Sequence, residues 1–154
     1  MKLKKILLII ILSIFIFPLA GCTLTHKSIS AEEFMSIAKD NDYTVLDVYN
    51  NMKVYGIFKK ALVAKKKDYQ IEFFVLNTET DAKDMFKDNK KKFESSKSGT
   101  YAQSNISLLN YSMYTLESGG YYMYISRIDN TVLYTKVNSK YKDDVKLFIK
   151  KIGY

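Results

Sequence analysis

The chain has 154 residues and a formal net charge of +8, and it contains one histidine and one cysteine. This scarcity excludes a metal site built from clustered cysteines and histidines, and it leaves no second cysteine for a disulfide. Arg127 is the single arginine, and the lysines are mixed with carboxylates, whereas nucleic-acid binders display clustered arginine and lysine. We therefore expect no metal, no cofactor and no nucleic-acid partner.

The first 21 residues have the three parts of a secretory signal peptide. Three lysines lie within the first five residues, an apolar run follows over residues 6–17, and small residues precede Cys22. The alternative is a membrane-spanning helix, which needs about 20 apolar residues. The apolar segment is shorter than that, so its length favours a signal peptide.

The sequence around the cysteine resembles the lipobox of bacterial lipoproteins. Leu19-Ala20-Gly21-Cys22 matches all four positions of that pattern, which are an aliphatic residue, a small residue, Gly or Ala, and Cys. The resemblance implies that a peptidase cuts between Gly21 and Cys22 and that the Cys22 thiol carries a diacylglyceryl group. An ordinary buried cysteine is the alternative, and it leaves the signal-like segment unexplained.

This resemblance divides the chain into a signal peptide (1–21), a polar tether (22–28) and one domain (29–154). The first segment holds three lysines and no acid, so 21 basic and 16 acidic residues remain, a net charge of +5. Because two acyl chains anchor a protein stably, we expect a lipid anchor in the cell membrane, with the domain on the outer, extracytoplasmic face. The Lys-, Ile-, Asn- and Tyr-rich composition suggests a Gram-positive bacterium.

The first half of the domain predicts a helix, three strands and a second helix. Ser30 and Glu33 form a capping box, and Asn41 is a suitable helix terminator. Thr78 or Thr80 caps the second helix, and residues 50–58 show no clear pattern. The predicted elements are a helix from Ser30 to Asn41, a strand over 43–49, a hairpin of strands 60–66 and 69–76, and a helix over 81–94.

Four strands and a final helix are expected after that. Turn-like residues separate the strands at Leu109-Asn110, Ser118-Gly119-Gly120 and Asp129-Asn130, and such short turns imply antiparallel pairing. The element order α-β-β-β-α-β-β-β-β-α predicts an α+β fold, an antiparallel sheet with the helices packed on one face. The predicted elements are strands over 105–109, 111–117, 121–128 and 131–137, and a helix over 140–152.

The turns also predict which residues of the last strands face one another. A two-residue turn at Asp129-Asn130 places Tyr124 opposite Thr135, and a three-residue loop over 118–120 places Tyr114 opposite Tyr124. Tyr114, Tyr122 and Tyr124 then share one face of the sheet. This face is a candidate surface for contact with a protein or a glycan. The alternative is a merely solvated face, since tyrosine favours strands in any case.

No catalytic motif is visible in the sequence. His26 lies in the tether, and acidic pairs such as Glu32 and Glu33 fall in the first turns of helices, where negative charge is stabilising. We therefore expect a non-enzymatic domain that binds or modulates a partner in the cell envelope. The alternatives are an envelope enzyme or enzyme accessory, and a module for anionic wall polymer. A continuous patch of lysines 65–67 with lysines 90–92 would favour the polymer.

Replacing Cys22 by Ala is expected to abolish retention in the membrane. Acyl chains contribute about 0.8 kcal/mol per buried CH₂, whereas lysines near anionic lipid contribute only about 1 kcal/mol each. Cell fractionation with a high-salt wash measures retention, with the unaltered chain as the control. A Cys22→Ala protein that stays in the membrane fraction through the wash would contradict the lipidation.

Overall fold

The computed structural model describes residues 25–154, which form an α+β fold with a single antiparallel sheet. The predicted signal peptide, the cleavage point after Gly21 and the lipidation site Cys22 lie outside the described residues. The helices are α1 (Ala31–Asp40), α2 (Tyr49–Met52), α3 (Glu79–Ser95) and α4 (Lys142–Lys151), with 3-10 turns over Lys53–Tyr55 and Ser139–Tyr141. The strands are β1 (Thr44–Asp47), β2 (Phe58–Lys66), β3 (Tyr69–Leu76), β4 (Ala102–Ser107), β5 (Tyr111–Ser118), β6 (Tyr121–Ile128) and β7 (Thr131–Asn138).

Capping boxes fix the starts of α1 and α3. The Glu33 amide donates to Ser30 Oγ at 3.1 Å, and the Ser30 amide donates to the Glu33 carboxylate at 2.8 Å. Thr78 and Asp81 make the same pair of bonds at α3. Helix α1 therefore begins where the sequence predicts, and Thr78 rather than Thr80 caps α3.

The seven strands lie in the order β1-β2-β3-β7-β6-β5-β4. Two-residue turns at Lys67-Asp68 and Asp129-Asn130 join β2 to β3 and β6 to β7. The register of β6 and β7 is confirmed, with Tyr124 opposite Thr135. Strands β1 and β4 form the two edges of the sheet.

The helices cover both faces of the sheet, so the prediction that they pack on one face is wrong. Phe73 and Phe74 are neighbours on β3, and neighbouring strand residues point to opposite faces. Phe73 stacks on Phe34 of α1 with ring centroids 4.7 Å apart, in the core that α1 and α4 cover. Phe74 belongs to the core under α3. Strands that bury consecutive residues need helices on both sides.

The turn between β5 and β6 has two residues instead of the predicted three. Gly119 and Gly120 both have positive φ, at +58° and +79°, which tight two-residue hairpin turns require. Tyr114 consequently lies opposite Ile125 and not opposite Tyr124. Because a one-residue slip moves every side chain of a strand to the other face, the predicted common face of three tyrosines does not form.

The substitution Phe73→Ala is expected to lower the free energy of unfolding by about 3–5 kcal/mol, because it removes a fully buried ring from the core. Val54→Ala is the control, since Val54 is largely exposed and such surface changes stay within about 0.5 kcal/mol. Urea unfolding followed by circular dichroism measures both. Equal effects of the two substitutions would show that Phe73 does not support the core.

Candidate functional site

A groove of about 700 Å³ opens between helix α4 and the outer strands β4 and β5. Its lining comes from β4, β5, β6, α4 and the C-terminal Tyr154. It lies on the sheet face that α1 and α4 cover, because its floor residue Tyr124 belongs to the same core as Phe34 and Phe148. The groove is a concave site of a size that accommodates a small ligand or a peptide segment.

Tyr122 and Tyr124 form the floor of the groove together with Met113 and Thr115. Each of the two tyrosines is only 5% exposed. Alternate residues of β6 point to this face. Both rings therefore pack into the core, and only a small part of each ring is exposed in the groove. The floor is therefore mainly apolar, and its polar groups are the two phenols and the Thr115 hydroxyl.

The two phenols carry no charge at neutral pH. Burial, together with the nearby Glu117 carboxylate, raises the pKa of the Tyr122 phenol to about 12. Burial also raises the pKa of Tyr124. Neutral phenols can donate and accept hydrogen bonds, so the floor can orient a ligand without repelling an anionic one.

One wall of the groove carries lysines of α4. Lys142, Lys146 and Lys150 are four residues apart, which places them on one side of the helix. Lys142 forms an ion pair with Glu117, and its Nζ atom lies 6.0 Å from the centroid of the Tyr122 ring. Lys146 and Lys150 are exposed and form no ion pair with any residue of 25–154. Two uncompensated positive charges thus stand at the rim of an apolar floor.

The opposite wall is the edge strand β4. All six of its residues are exposed, and none is charged or proline. Edge strands usually carry lysine, proline or a bulge that prevents pairing with another chain. Strand β1, at the other edge, is shorter and contains Asp47. Strand β4 is therefore the less protected edge, and no strand within residues 25–154 pairs with its outer side.

Two of the three predicted tyrosines come together in this groove. Tyr122 and Tyr124 lie side by side on the floor, whereas Tyr114 is buried on the opposite face under α3. The Tyr114 hydroxyl donates to Gln103 Oε1 at 3.1 Å, and Lys90 Nζ lies 5.3 Å from its ring centroid. A partner can therefore reach Tyr122 and Tyr124 only through the groove, and Tyr114 is not part of that surface.

Lys146 and Lys150 were not identified from the sequence, and neither was the exposed edge of β4. The four-residue lysine spacing is present in the sequence. In a chain this rich in lysine, however, the spacing does not indicate which side of a helix adjoins an uncovered part of a sheet. That information comes only from the packing of α4.

Lys90, the first lysine of the second run proposed for wall polymer, lies far from the first run in the sheet. Lys90 Nζ donates to Asn105 Oδ1 on β4 at 3.4 Å, whereas Lys65 and Lys66 end strand β2. Strand β4 is the fifth strand along the sheet from β2, which corresponds to about 24 Å. Lys90 therefore does not join lysines 65–67 in the continuous patch that would have favoured wall polymer as the ligand.

A smaller cleft of about 260 Å³ contains Tyr43, Tyr69, Lys66 and Asp144. The hydroxyls of Tyr43 and Tyr69 lie 3.0 Å apart, and burial raises the pKa of both phenols. Among residues 25–154, no group of three or more His, Cys, Asp or Glu side chains is arranged to hold a metal ion. The cleft therefore has a mixed polar lining without a recognisable catalytic arrangement.

No helix in the described part of the chain is long and apolar enough to cross a membrane. Comparison with models of protein families, with curated proteins and with solved structures finds no match to this chain.

The raised pKa of Tyr122 predicts a loss of stability in alkaline solution. Between the tyrosine pKa of about 10 in an unfolded chain and about 12 in the folded chain, the unfolded state loses the Tyr122 proton while the folded state keeps it. The free energy of unfolding therefore falls as the pH rises through this interval, by about 2–3 kcal/mol for this residue.

Urea titrations at about pH 9 and about pH 12 measure this fall. Tyr122→Phe has no proton to lose at this position, so its stability should fall by a smaller amount than that of the unaltered protein. Tyr55→Phe, at a largely exposed position, should behave like the unaltered protein. An undiminished fall in Tyr122→Phe would contradict the expectation.

Proposed function

We propose that this chain is a bacterial membrane lipoprotein, anchored to the outer face of the cell membrane by a diacylglyceryl group on Cys22. The signal-like segment that ends in Leu19-Ala20-Gly21-Cys22 supports the anchor. The domain of residues 29–154 acts outside the membrane as a non-enzymatic module. It binds or modulates another protein of the cell envelope.

The groove beside α4 is the observation that carries the binding role. Its floor of Met113, Tyr122 and Tyr124 suits apolar side chains, and Lys146 and Lys150 suit carboxylates at the rim. Charges attract more strongly beside a low-dielectric apolar surface than in bulk water. The ligand with matching chemistry is an apolar segment of a protein that carries acidic residues along one side.

The edge of β4 adds a means of holding that segment. Ala102 and Ser104 belong to β4 and also line the groove. A segment in extended conformation can pair its main chain with β4 and turn alternate side chains toward the groove. Main-chain pairing supplies affinity and the groove supplies specificity, so the proposed partner segment is extended as well as apolar and acidic.

Anionic wall polymer is the alternative ligand, because it would also be attracted by Lys146 and Lys150. Binding of a polymer through exposed lysines is screened by salt, whereas a segment on the apolar floor stays bound. An envelope enzyme would need converging acid and base groups. Among the residues that line the groove, Glu117 is the one with a carboxylate side chain, and it is paired with Lys142.

Photo-crosslinking in cells tests the groove as a binding site. A benzoylphenylalanine at position 147 replaces Leu147, an exposed residue of the groove, and the control places it at the exposed Lys87 of α3. We expect position 147 to capture one dominant envelope protein in a salt-resistant manner, and position 87 not to capture it. Identical products from both positions, or none from position 147, would overturn the proposal.

The charge at the rim is tested by the double substitution Lys146→Glu and Lys150→Glu. Like charges placed across an interface cost several kcal/mol, so capture from position 147 should fall by about tenfold or more. The matched control is Lys87→Glu with Lys91→Glu, an equally spaced exposed pair on α3. If the control lowers capture as much as the groove variant, the effect is one of net charge and the rim has no specific role.

A further inference from the structure

The tether is docked on the domain at one defined place. The His26 amide donates to Asn110 Oδ1 at 3.3 Å, and Asn110 Nδ2 donates to the His26 carbonyl at 2.7 Å. The His26 ring stacks on Tyr111 with ring centroids 3.9 Å apart. These contacts hold residue 26 against the turn that joins β4 to β5, at one end of the sheet.

Buried polar contacts make that turn a fixed support. Arg127 is buried, and its guanidinium donates to the carbonyls of Asp129 and Leu109 at 3.1 and 3.4 Å. Asn110 Nδ2 also donates to Asp129 Oδ1 at 3.0 Å, and the Asp129 amide donates to the Asn110 carbonyl at 2.8 Å. The only arginine of the chain is thus used to fix the backbone of the turn.

The same end of the sheet exposes large apolar side chains. Leu109 in the turn is 84% exposed, and Leu108 beside it is also exposed. Val54 and Tyr55, which are 81% and 65% exposed, precede β2, a strand that starts at this end. Leu109, Val54 and Tyr55 are the three most exposed large apolar residues in the described chain. Apolar exposure is therefore greatest at the end where the tether docks.

Asparagine side chains connect the two groups of exposed apolar residues, Leu108 with Leu109 and Val54 with Tyr55. Asn130 Nδ2 donates to the Leu76 carbonyl at 2.8 Å, and Asn77 Nδ2 donates to the Gly56 carbonyl at 2.7 Å. Together with Asn110, they link the β4–β5 turn, the β6–β7 turn, the end of β3 and the residues before β2. This end of the sheet is thus a single hydrogen-bonded unit.

The short sequence separation between Cys22 and His26 limits how far this end of the sheet can lie from the proposed lipid anchor. Cys22 precedes His26 by four residues, and each residue spans at most about 3.5 Å, so its Cα atom stays within about 14 Å of that of His26. On the basis of the lipid anchor proposed above, we propose that this end of the sheet docks on the bilayer. Leu108 and Leu109 enter the headgroup region, and Val54 and Tyr55 form a second contact.

The charges at this end indicate that apolar insertion dominates the contact. The basic residues there include Lys27, Lys53, Lys59 and Lys60, and the acidic ones include Glu32, Glu33, Glu79, Asp81 and Asp129. These charges leave no excess of positive charge to attract anionic lipid. Because salt screens exposed charges and leaves apolar burial intact, the docked orientation should persist at high ionic strength.

The depth of a fluorophore tests the docking with the full lipidated protein. An acylated Cys22 has no free thiol, so Leu109→Cys introduces one reactive thiol for a nitrobenzoxadiazole label. The control label is at Tyr101→Cys, an exposed position before β4 at the opposite end of the sheet. The protein is placed in vesicles of phosphatidylcholine and phosphatidylglycerol that contain a nitroxide-labelled lipid.

We expect the label at position 109 to be quenched by the nitroxide lipid at low and high salt, and the label at position 101 to stay in water. An acylated protein whose label at position 109 is no more quenched than the label at position 101 overturns the docking and leaves the lipoprotein proposal intact. A protein from membranes whose N-terminal peptide carries no lipid by mass spectrometry overturns both proposals.

The Asn110 contacts are tested separately. In labelled Leu109→Cys, Asn110→Ala should lower the ratio of docked to undocked protein by about fivefold or more, because it removes both hydrogen bonds to His26 and the loss of one typical hydrogen bond has about that effect. Asn138→Ala is the matched control, because Asn138 Oδ1 accepts from the Lys140 amide away from the docked turn. Unchanged quenching in Asn110→Ala, or an equal loss in Asn138→Ala, overturns the role of the His26–Asn110 contact in orientation.

Discussion

Both faces of the sheet are apolar, and the rest of the structure depends on how far the helices cover them. Helix α3 has 17 residues and a length of about 25 Å, and it contacts β3, β5, β6 and β7 on one face. On the other face, α1 and α4 have ten residues each and are about 15 Å long. A sheet of seven strands is about 29 Å wide. The helices α1 and α4 do not extend over the whole face, and the groove lies over β4 and β5, where their coverage ends.

The sequence predicted those parts of the fold that depend on neighbouring residues. The capping box at Ser30 involves groups three residues apart, and the turn at Asp129-Asn130 defines the β6–β7 register by itself. The prediction failed at Gly119-Gly120, because Ser118 is also a good turn residue and the chain offers no local sign that it continues the strand. Because of this one-residue error in the turn, the prediction placed Tyr114 on the wrong face of the sheet.

The site itself could not be predicted, because its residues come together only through packing. Lys146 acquires its role from the position of α4 beside the open part of the sheet, and β4 acquires its role from being last in the strand order. The contact of His26 with Asn110 joins residues 84 positions apart. Periodicity identifies which residues of one element share a face, but it does not identify which elements lie next to each other.

The proposed docking also determines how far the groove stands from the membrane. Strand β5 starts at the docked turn and runs for eight residues to Ser118, a rise of about 25 Å. Glu117 and its ion-pair partner Lys142 line the groove near the far end of that strand. On the proposed docking, the groove therefore lies within about 25 Å of the bilayer, a distance that an extracytoplasmic loop or domain of a membrane protein can reach.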